Sequence, residues 1–440
     1  MNKTNLTDSK TEQNKLAENH KIISNQKGIT LIALVITIVI LIILATISIN
    51  FIFNGGLIDR AEQARDYYQN DEAYTDESVT NLTGYIDGLI NGIEGGSGGG
   101  TGDNDELQKI SDVKTPSGSA VEPFTDPVTD LEDDFGNIVK VPGGFGIAED
   151  SGTKVEEGIV IEDADGNQFV WIPVGNYTAT DFESEEDPKP TTTKTNNLAR
   201  RSWGAINIEA EPTEITADGG DGAISTSYFG EGYEYSCTNN EDGTNSIDAF
   251  KSSATTNGGF YVGRYEAGTE KERTATTDPL TTPLVQANKS AYVYVTRNEA
   301  KMQAEAMYAD NENVNVTSQL ISSYAWDTAL NFICQNSEQG YLLATTTDDA
   351  YGNIGTGSSE KKLTGGYSAD KYSNIYDLLG NCKEWTTEYN SNTYLPCVNR
   401  GGYCSYSSYF AAYRFGGDTI DRYSDYSFRL QLYIGRSENW

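Results

Sequence analysis

Histidine is all but missing from the 440 residues: there is one, His20, beside three Met, five Cys and eleven Pro. With a single imidazole at position 20, the chain lacks the base for Ser-His-Asp or Cys-His hydrolysis and the ligands of the common zinc hydrolases. The five cysteines are scattered and form no C-x-x-C pair, so neither a zinc ribbon nor a disulfide scaffold is expected. Positive charge is also scarce. Lys and Arg number 31 against 65 Asp and Glu, a formal charge of −34, which excludes nucleic acid as a partner. The 37% hydrophobic and 11% aromatic content still supplies a core, and the length accommodates two or three domains.

One long apolar run is present. From Ile29 to Ile49 no residue is charged, which is long enough to cross a bilayer as a helix. Lys21 and Lys27 precede it and Asp59 follows, so the positive-inside rule puts the N-terminus in the cytoplasm and the rest outside. The junction Lys27-Gly28-Ile29-Thr30-Leu31-Ile32 resembles the prepilin family. That resemblance implies cleavage between Gly28 and Ile29, with 1–28 as leader; where prepilins carry Glu at the fifth mature position, this chain has Ala33. The alternative is a plain single-span anchor. Val79, Leu82, Ile86, Leu89 and Ile93 then make one apolar helical stripe, suited either to pilin-like partner helices or to the chain's own head.

Seven glycines between Gly92 and Gly102 predict a flexible joint, reaching roughly 18 Å as a coil. Pro116, Pro123 and Pro127 among acidic residues extend it as a tether to Asp134, so the expected segments are 29–93 (membrane helix and stalk), 94–134 (linker) and 135–440 (head). In the head, alternation on either side of Asp165-Gly166 predicts a hairpin with a tight primed turn. Asp163, Asp165 and Asn167 have a calcium-loop spacing but no Glu seven residues past the glycine, which favours the plain hairpin. Gly259 to Glu266 reads as a strand. Helices are expected from Thr296 to Tyr308, with Thr296 and Glu299 as a capping box, and from Ser323 to Cys334. The fold class is α+β, with short antiparallel strands, two helices and long loops.

Four ordered segments resemble the formylglycine-generating enzyme (sulfatase-modifying factor) family: Gln319 to Asp327, Leu379-Gly380-Asn381-Cys382-Lys383-Glu384-Trp385-Thr386, Arg400-Gly401-Gly402, and Ser427-Phe428-Arg429-Leu430. The resemblance spans about Val155 to Ile434 and implies a C-type-lectin-like version of the fold. It also implies a structural calcium site from Asp377, Gly380, Cys382 and Glu384, and no organic cofactor. The two cysteines of the family's oxidase chemistry fall on Tyr406 and Ala411, so the family's catalysis is not expected. Cys404 reads as a packed thiol.

From Tyr403 to Ser427 there are six Tyr and five Ser in 25 residues, the composition of antibody paratopes. Across Val398 to Leu430 there is no Lys, Glu, Gln, Met or Trp, and every residue can be written with a codon ending in a pyrimidine. That pattern resembles the variable proteins of diversity-generating retroelements, whose lectin-like C-termini are randomised at adenines. The expected ligand-binding residues are Tyr403, Ser405, Tyr406, Ser407, Ser408, Tyr409, Phe410, Asp418, Thr419, Asp421, Tyr423, Asp425 and Tyr426. The combined expectation is a protein anchored in a bacterial cell membrane, with an extracellular head binding a protein or glycan ligand. The alternatives are a formylglycine-generating-type oxidase and a structural minor pilin.

Overall fold

The computed structural model describes residues 107–203, 211–215, 229–230, 245–355, 360–390, 394–406 and 408–435. The Gly28–Ile29 junction, the Ile29 to Ile49 run, the stalk stripe and Ser407 lie outside the described residues. Among the described residues no helix is long and apolar enough to cross a membrane.

The architecture is α+β, dominated by strands. In chain order, the strands that position the site begin with β1 (Phe145–Ile147), β2 (Val160–Asp163), β3 (Gln168–Pro173), β4 (Phe229–Gly230), β5 (Gly259–Gly263) and β6 (Val316–Leu320). They continue with β7 (Lys383–Asn390), β8 (Cys397–Arg400), β9 (Phe415–Gly417), β10 (Tyr426–Phe428) and β11 (Leu430–Ile434). A six-stranded antiparallel sheet runs β6-β11-β5-β3-β2-β1. Its central strands β5 and β11 are buried at every position, as expected of strands covered on both faces. The second sheet runs β4-β7-β8-β9, with β10 parallel to β7.

The helices follow their caps. Helix α1 spans Asn245–Thr256 and α2 spans Arg297–Ala306. Thr296 caps α2: its side chain accepts from the Glu299 N–H, and Glu299 returns a bond to the Thr296 N–H. Helix α3 (Ser323–Gln335), capped by Ser322, buries every residue from Ser323 to Cys334. A helix covered all round sits within the core, and α3 packs against both sheets.

Two expectations need correction. The stretch read as a tether is part of the head: Val128–Glu132 pairs with Ile138–Pro142, and Ile110 and Leu131 are fully buried. Its prolines precede that strand, and it docks through Ile110 and Leu131, the half-buried Val113, Phe124 and Val128, and backbone bonds such as the Phe124 N–H to the Phe145 carbonyl at 2.9 Å. The hairpin of β2 and β3 is real, but its register sets Glu162 opposite Gln168, so the turn is longer than two residues. Asp163 closes it, its Oδ1 accepting from the Asp165 and Asn167 N–H groups at 3.0 and 2.8 Å. Among the described cysteines Cys397 is disulfide-bonded, while Cys334, Cys382 and Cys404 are free thiols.

Candidate functional site

The Tyr/Ser-rich loop leaves β8 and returns at β9, and both of its ends are fixed by buried arginines. Arg400 ends β8 and Arg414 immediately precedes β9. The Arg400 guanidinium reaches Asp327 Oδ1 at 2.6 Å and Glu388 Oε2 at 3.3 Å. Arg414 reaches Asp327 Oδ2 and Glu388 Oε1, each at 2.6 Å. A third arginine, Arg200, joins Glu388 at 2.8 Å, and the Trp203 indole and Arg201 N–H donate to Asp327 at 3.0 and 2.9 Å. The carboxylates come from α3 and β7. Burial disfavours their charge, but the arginines outweigh it and hold both Asp327 and Glu388 below the usual carboxylate range. The loop floor is pinned separately, by Trp326 Nε1 donating to the Ala411 carbonyl at 3.0 Å.

Gly401 and Gly402 turn the chain out of β8 with φ of +94° and +74°. A Cβ on Gly402 would lie 2.6 Å from the Tyr409 carbonyl oxygen, so the loop folds back over a position that only glycine can occupy.

Between these anchors the tyrosines stack on one another rather than on the core. Tyr403 lies parallel to Tyr406 at 6.3 Å and to Tyr409 at 6.1 Å, and Tyr409 meets Tyr413 at 4.7 Å and Phe415 at 5.3 Å. The second expected loop, 418–426, contributes Tyr423, edge-on to Tyr426 at 5.1 Å. Lys383 of β7 ties the two loops together. Its ammonium lies 4.2 Å from the Tyr403 ring centre and 4.4 Å from that of Tyr426, and pairs with Asp425 at 3.3 Å. Burial lowers the Lys383 pKa and Asp425 partly restores it. The outcome is a ridge, Tyr406–Tyr403–Lys383–Tyr426–Tyr423, whose outer ends, Tyr406 and Tyr423, are 46% and 51% exposed, while Lys383 and Tyr426 between them are buried. Ser405 and Ser408 are exposed, and Asp418, Thr419, Asp421 and Asp425 are half-buried beside it.

Two of the expected contact residues are scaffold. Phe410 is 2% exposed and packs edge-on against Tyr413, and Tyr426 is 4% exposed and packs edge-on against Trp385. Both lie where their loop re-enters the core. The sequence reading missed Lys383, Tyr413, Phe415 and the 71%-exposed Ile420. For Ile420 the signal was present, an apolar residue isolated among Asp, Thr and Arg. For Lys383 nothing distinguishes a packed ammonium from a solvated one.

In the calcium set that the family resemblance implies, Asp377 and Glu384 would offer carboxylates and Gly380 and Cys382 backbone carbonyls. Calcium takes six to eight oxygens, but both Glu384 oxygens are closed by Arg429, at 2.6 and 2.9 Å. Asp377 accepts from the Gly365 N–H at 2.7 Å through Oδ2, while its buried Oδ1 has no hydrogen-bond partner among the described residues. Among the described residues no three His, Cys, Asp or Glu side chains are placed to share a metal. The neighbourhood is a buried carboxyl cluster, Glu266, Asp370, Asp377 and Glu384, with the Arg429 guanidinium beside it. Burial raises Asp377 to about 6, Glu384 to about 7 and Asp370 to about 8, and the like charge of Asp377 adds to the shift at Asp370 and Glu384.

No family model and no curated protein matches the chain. Among solved structures, PvdO from Pseudomonas aeruginosa is similar at 13% identity and a TM-score of 0.29, over 62% of this chain and 98% of that one. Treponema denticola variable protein 1 is similar at 14% identity and a TM-score of 0.19, over 60% of this chain and 95% of that one.

Proposed function

We propose that this protein is a surface-displayed binding protein. In this reading the Ile29 to Ile49 run anchors it in a bacterial cell membrane, and a non-catalytic, lectin-like head carries the aromatic ridge as its ligand face. The observation that carries the reading is the way the loops are built. The two loop segments, 403–410 and 418–426, meet at Lys383, expose Tyr406 and Tyr423 at the ends of one ridge, and take their rigidity from Arg400 and Arg414 beneath. Stacked tyrosines offer large amphipathic area at low entropy cost, which suits recognition. A disulfide at Cys397 supports an oxidising compartment outside the cytoplasm.

The same construction supports diversification of the loops, because the side chains that fix the backbone are not the ones that face solvent. The test is to sequence the locus from many cells of one population. Codons for Ser405, Tyr406, Ser408, Asp421 and Tyr423 are expected to vary at adenine-derived positions, while Arg400, Gly401, Gly402, Phe410, Arg414 and Arg429 stay fixed. Uniform codons, with no invariant near-copy and no reverse transcriptase nearby, would sink the diversification reading and leave an adhesin of fixed specificity.

A further inference from the structure

The buried carboxyl cluster beside Arg429 carries unmet polar atoms. Asp377 Oδ1, Glu266 Oε2 and both oxygens of Asp370 have no hydrogen-bond partner among the described residues, although all three residues are at most 1% exposed. The backbone N–H groups of Asp370 and Asp377 favour the charged form of Asp370 but make no hydrogen bond of good geometry to it. Buried carboxylate oxygens are ordinarily met by a donor, a cation or ordered water, so several unmet ones in a single neighbourhood point to a ligand.

The donors at hand are already engaged. Glu266 Oε1 accepts from Asn381 Nδ2, and Asp377 Oδ2 accepts from the Gly365 N–H, which leaves one oxygen of each unmet. Arg429 directs its N–H groups to both Glu384 oxygens and to the Gly263 and Tyr376 carbonyls, each at 2.8 Å. Asp377 is the common neighbour of the remaining two carboxyls, since its charge raises the pKa of both Glu266 and Asp370.

That donor set selects by chemistry. Every unmet atom is a carboxylate oxygen, burial holds the Cys382 thiol protonated, and no histidine lies among the described residues, so soft and borderline metals find neither sulfur nor nitrogen. Protons cancel charge one oxygen at a time, whereas a divalent cation answers several oxygens at once. Magnesium keeps several waters in a near-octahedral shell, which a fully buried cluster does not suit; calcium accepts mixed carboxylate, carbonyl and water shells.

We propose that this chain binds a calcium ion through Asp377 Oδ1 and the Asp370 carboxylate, with Glu266 flanking the pair and Glu384 kept out of the ligand set by Arg429. No three acidic side chains are placed to share one metal, so two carboxylates are direct ligands, and backbone carbonyls and water complete the shell. Asp370 thus stands in for the Glu384 of the set that the resemblance implies. Asp377 lies shortly before Lys383 in the chain, so the ion braces the segment that presents Lys383 to both loops.

The test uses the full-length chain in detergent, dialysed against EGTA, with calcium returned while the thermal midpoint and the heat of binding are followed. Magnesium at equal concentration is the control, and Asp370→Asn and Asp377→Asn, which keep the side-chain shape, are the variants. The midpoint of the wild type is expected to rise by about 5 °C at a hundredfold excess of calcium over its Kd, with a much smaller response to magnesium. Each variant is expected to bind calcium tenfold or more weakly, because affinity follows the count of charged ligands. An equal response to both ions, or none to either, overturns the site. A calcium response kept intact in Asp370→Asn overturns the exchange of Asp370 for Glu384. The ridge does not depend on this ion, so neither failure touches its reading as the ligand face.

Discussion

Replacing Asp327 with alanine tests the clamp under the loops. The side chain is wholly buried and receives Arg400 and Arg414 at 2.6 Å each, with the Trp203 indole at 3.0 Å and the Arg201 N–H at 2.9 Å. Without it, three buried guanidiniums, those of Arg200, Arg400 and Arg414, share the single carboxylate of Glu388. Breaking one buried ion pair costs about 3–5 kcal/mol, and orphaned donors cost about 1–3 kcal/mol each. The loss is therefore expected at or above the upper part of that first range, a large share of the roughly 5–15 kcal/mol that holds a domain together. The assay is urea unfolding followed by tryptophan fluorescence, to which Trp203 and Trp326 both report from the site. Asp327→Asn keeps the shape and part of the hydrogen bonding but removes the charge, and is expected between wild type and alanine. The sign with pH follows from the depressed pKa: the Asp327 contribution is present above the unfolded-state value and is lost as pH falls through the folded one. A cost below about 1 kcal/mol for Asp327→Ala, the worth of an exposed pair, would refute the clamp.

Three further outcomes can be checked on the same material. Phe410→Ala is expected to cost about 3–5 kcal/mol as a core truncation, whereas Tyr406→Ala changes stability by no more than about 0.5 kcal/mol; equal costs would contradict the division between scaffold and face. Gly402→Ala is expected to destabilise more than Gly118→Ala. Both glycines have φ near +75°, but only the first would press a Cβ against backbone, so their difference in urea midpoint isolates that contact. Asp370, raised to about 8 by burial and by Asp377, stays protonated in the fold at pH values where the unfolded chain has released its proton. Stability should therefore fall as pH rises from about 4 toward 8, and Asp370→Asn should flatten that decline; an unchanged slope in thermal melts would remove Asp370 from the account.

Where the sequence was legible, the signal was local. The Thr296–Glu299 box marks the start of α2 within one residue, and the alternation around Asp165-Gly166 gives the β2–β3 pairing even though Asp163 lengthens the turn. Helix α1 was missed although Ile247, Phe250 and Ala254 carry helical spacing, because the Ser, Thr and Asn around them are weak helix formers. The candidate site was half legible. Tyr and Ser enrichment located the loops, but what organises them comes from distant positions: Asp327 and Glu388 hold arginines as far as 188 residues away. Periodicity carries no information about such pairings. The acidic tether failed for a related reason, since composition averages over a segment, while scattered apolar side chains, Ile110 and Leu131 fully buried among them, dock it on the head.

The place of β11 in the main sheet makes the fold depend on chain that is translated after both loops. It lies between β5 and β6 and follows both loops, and Arg429 just before it reaches into the carboxyl cluster by short bonds to Glu384. A reading frame that stops or slips anywhere between Tyr403 and Tyr426 therefore loses the strand that joins the halves of the sheet. Two strand edges are left open, and such edges invite aggregation and degradation. A folded copy is thus a certificate that the Tyr/Ser-rich stretch was translated in frame to its end, a check that truncations fail and substitutions at exposed ridge positions pass.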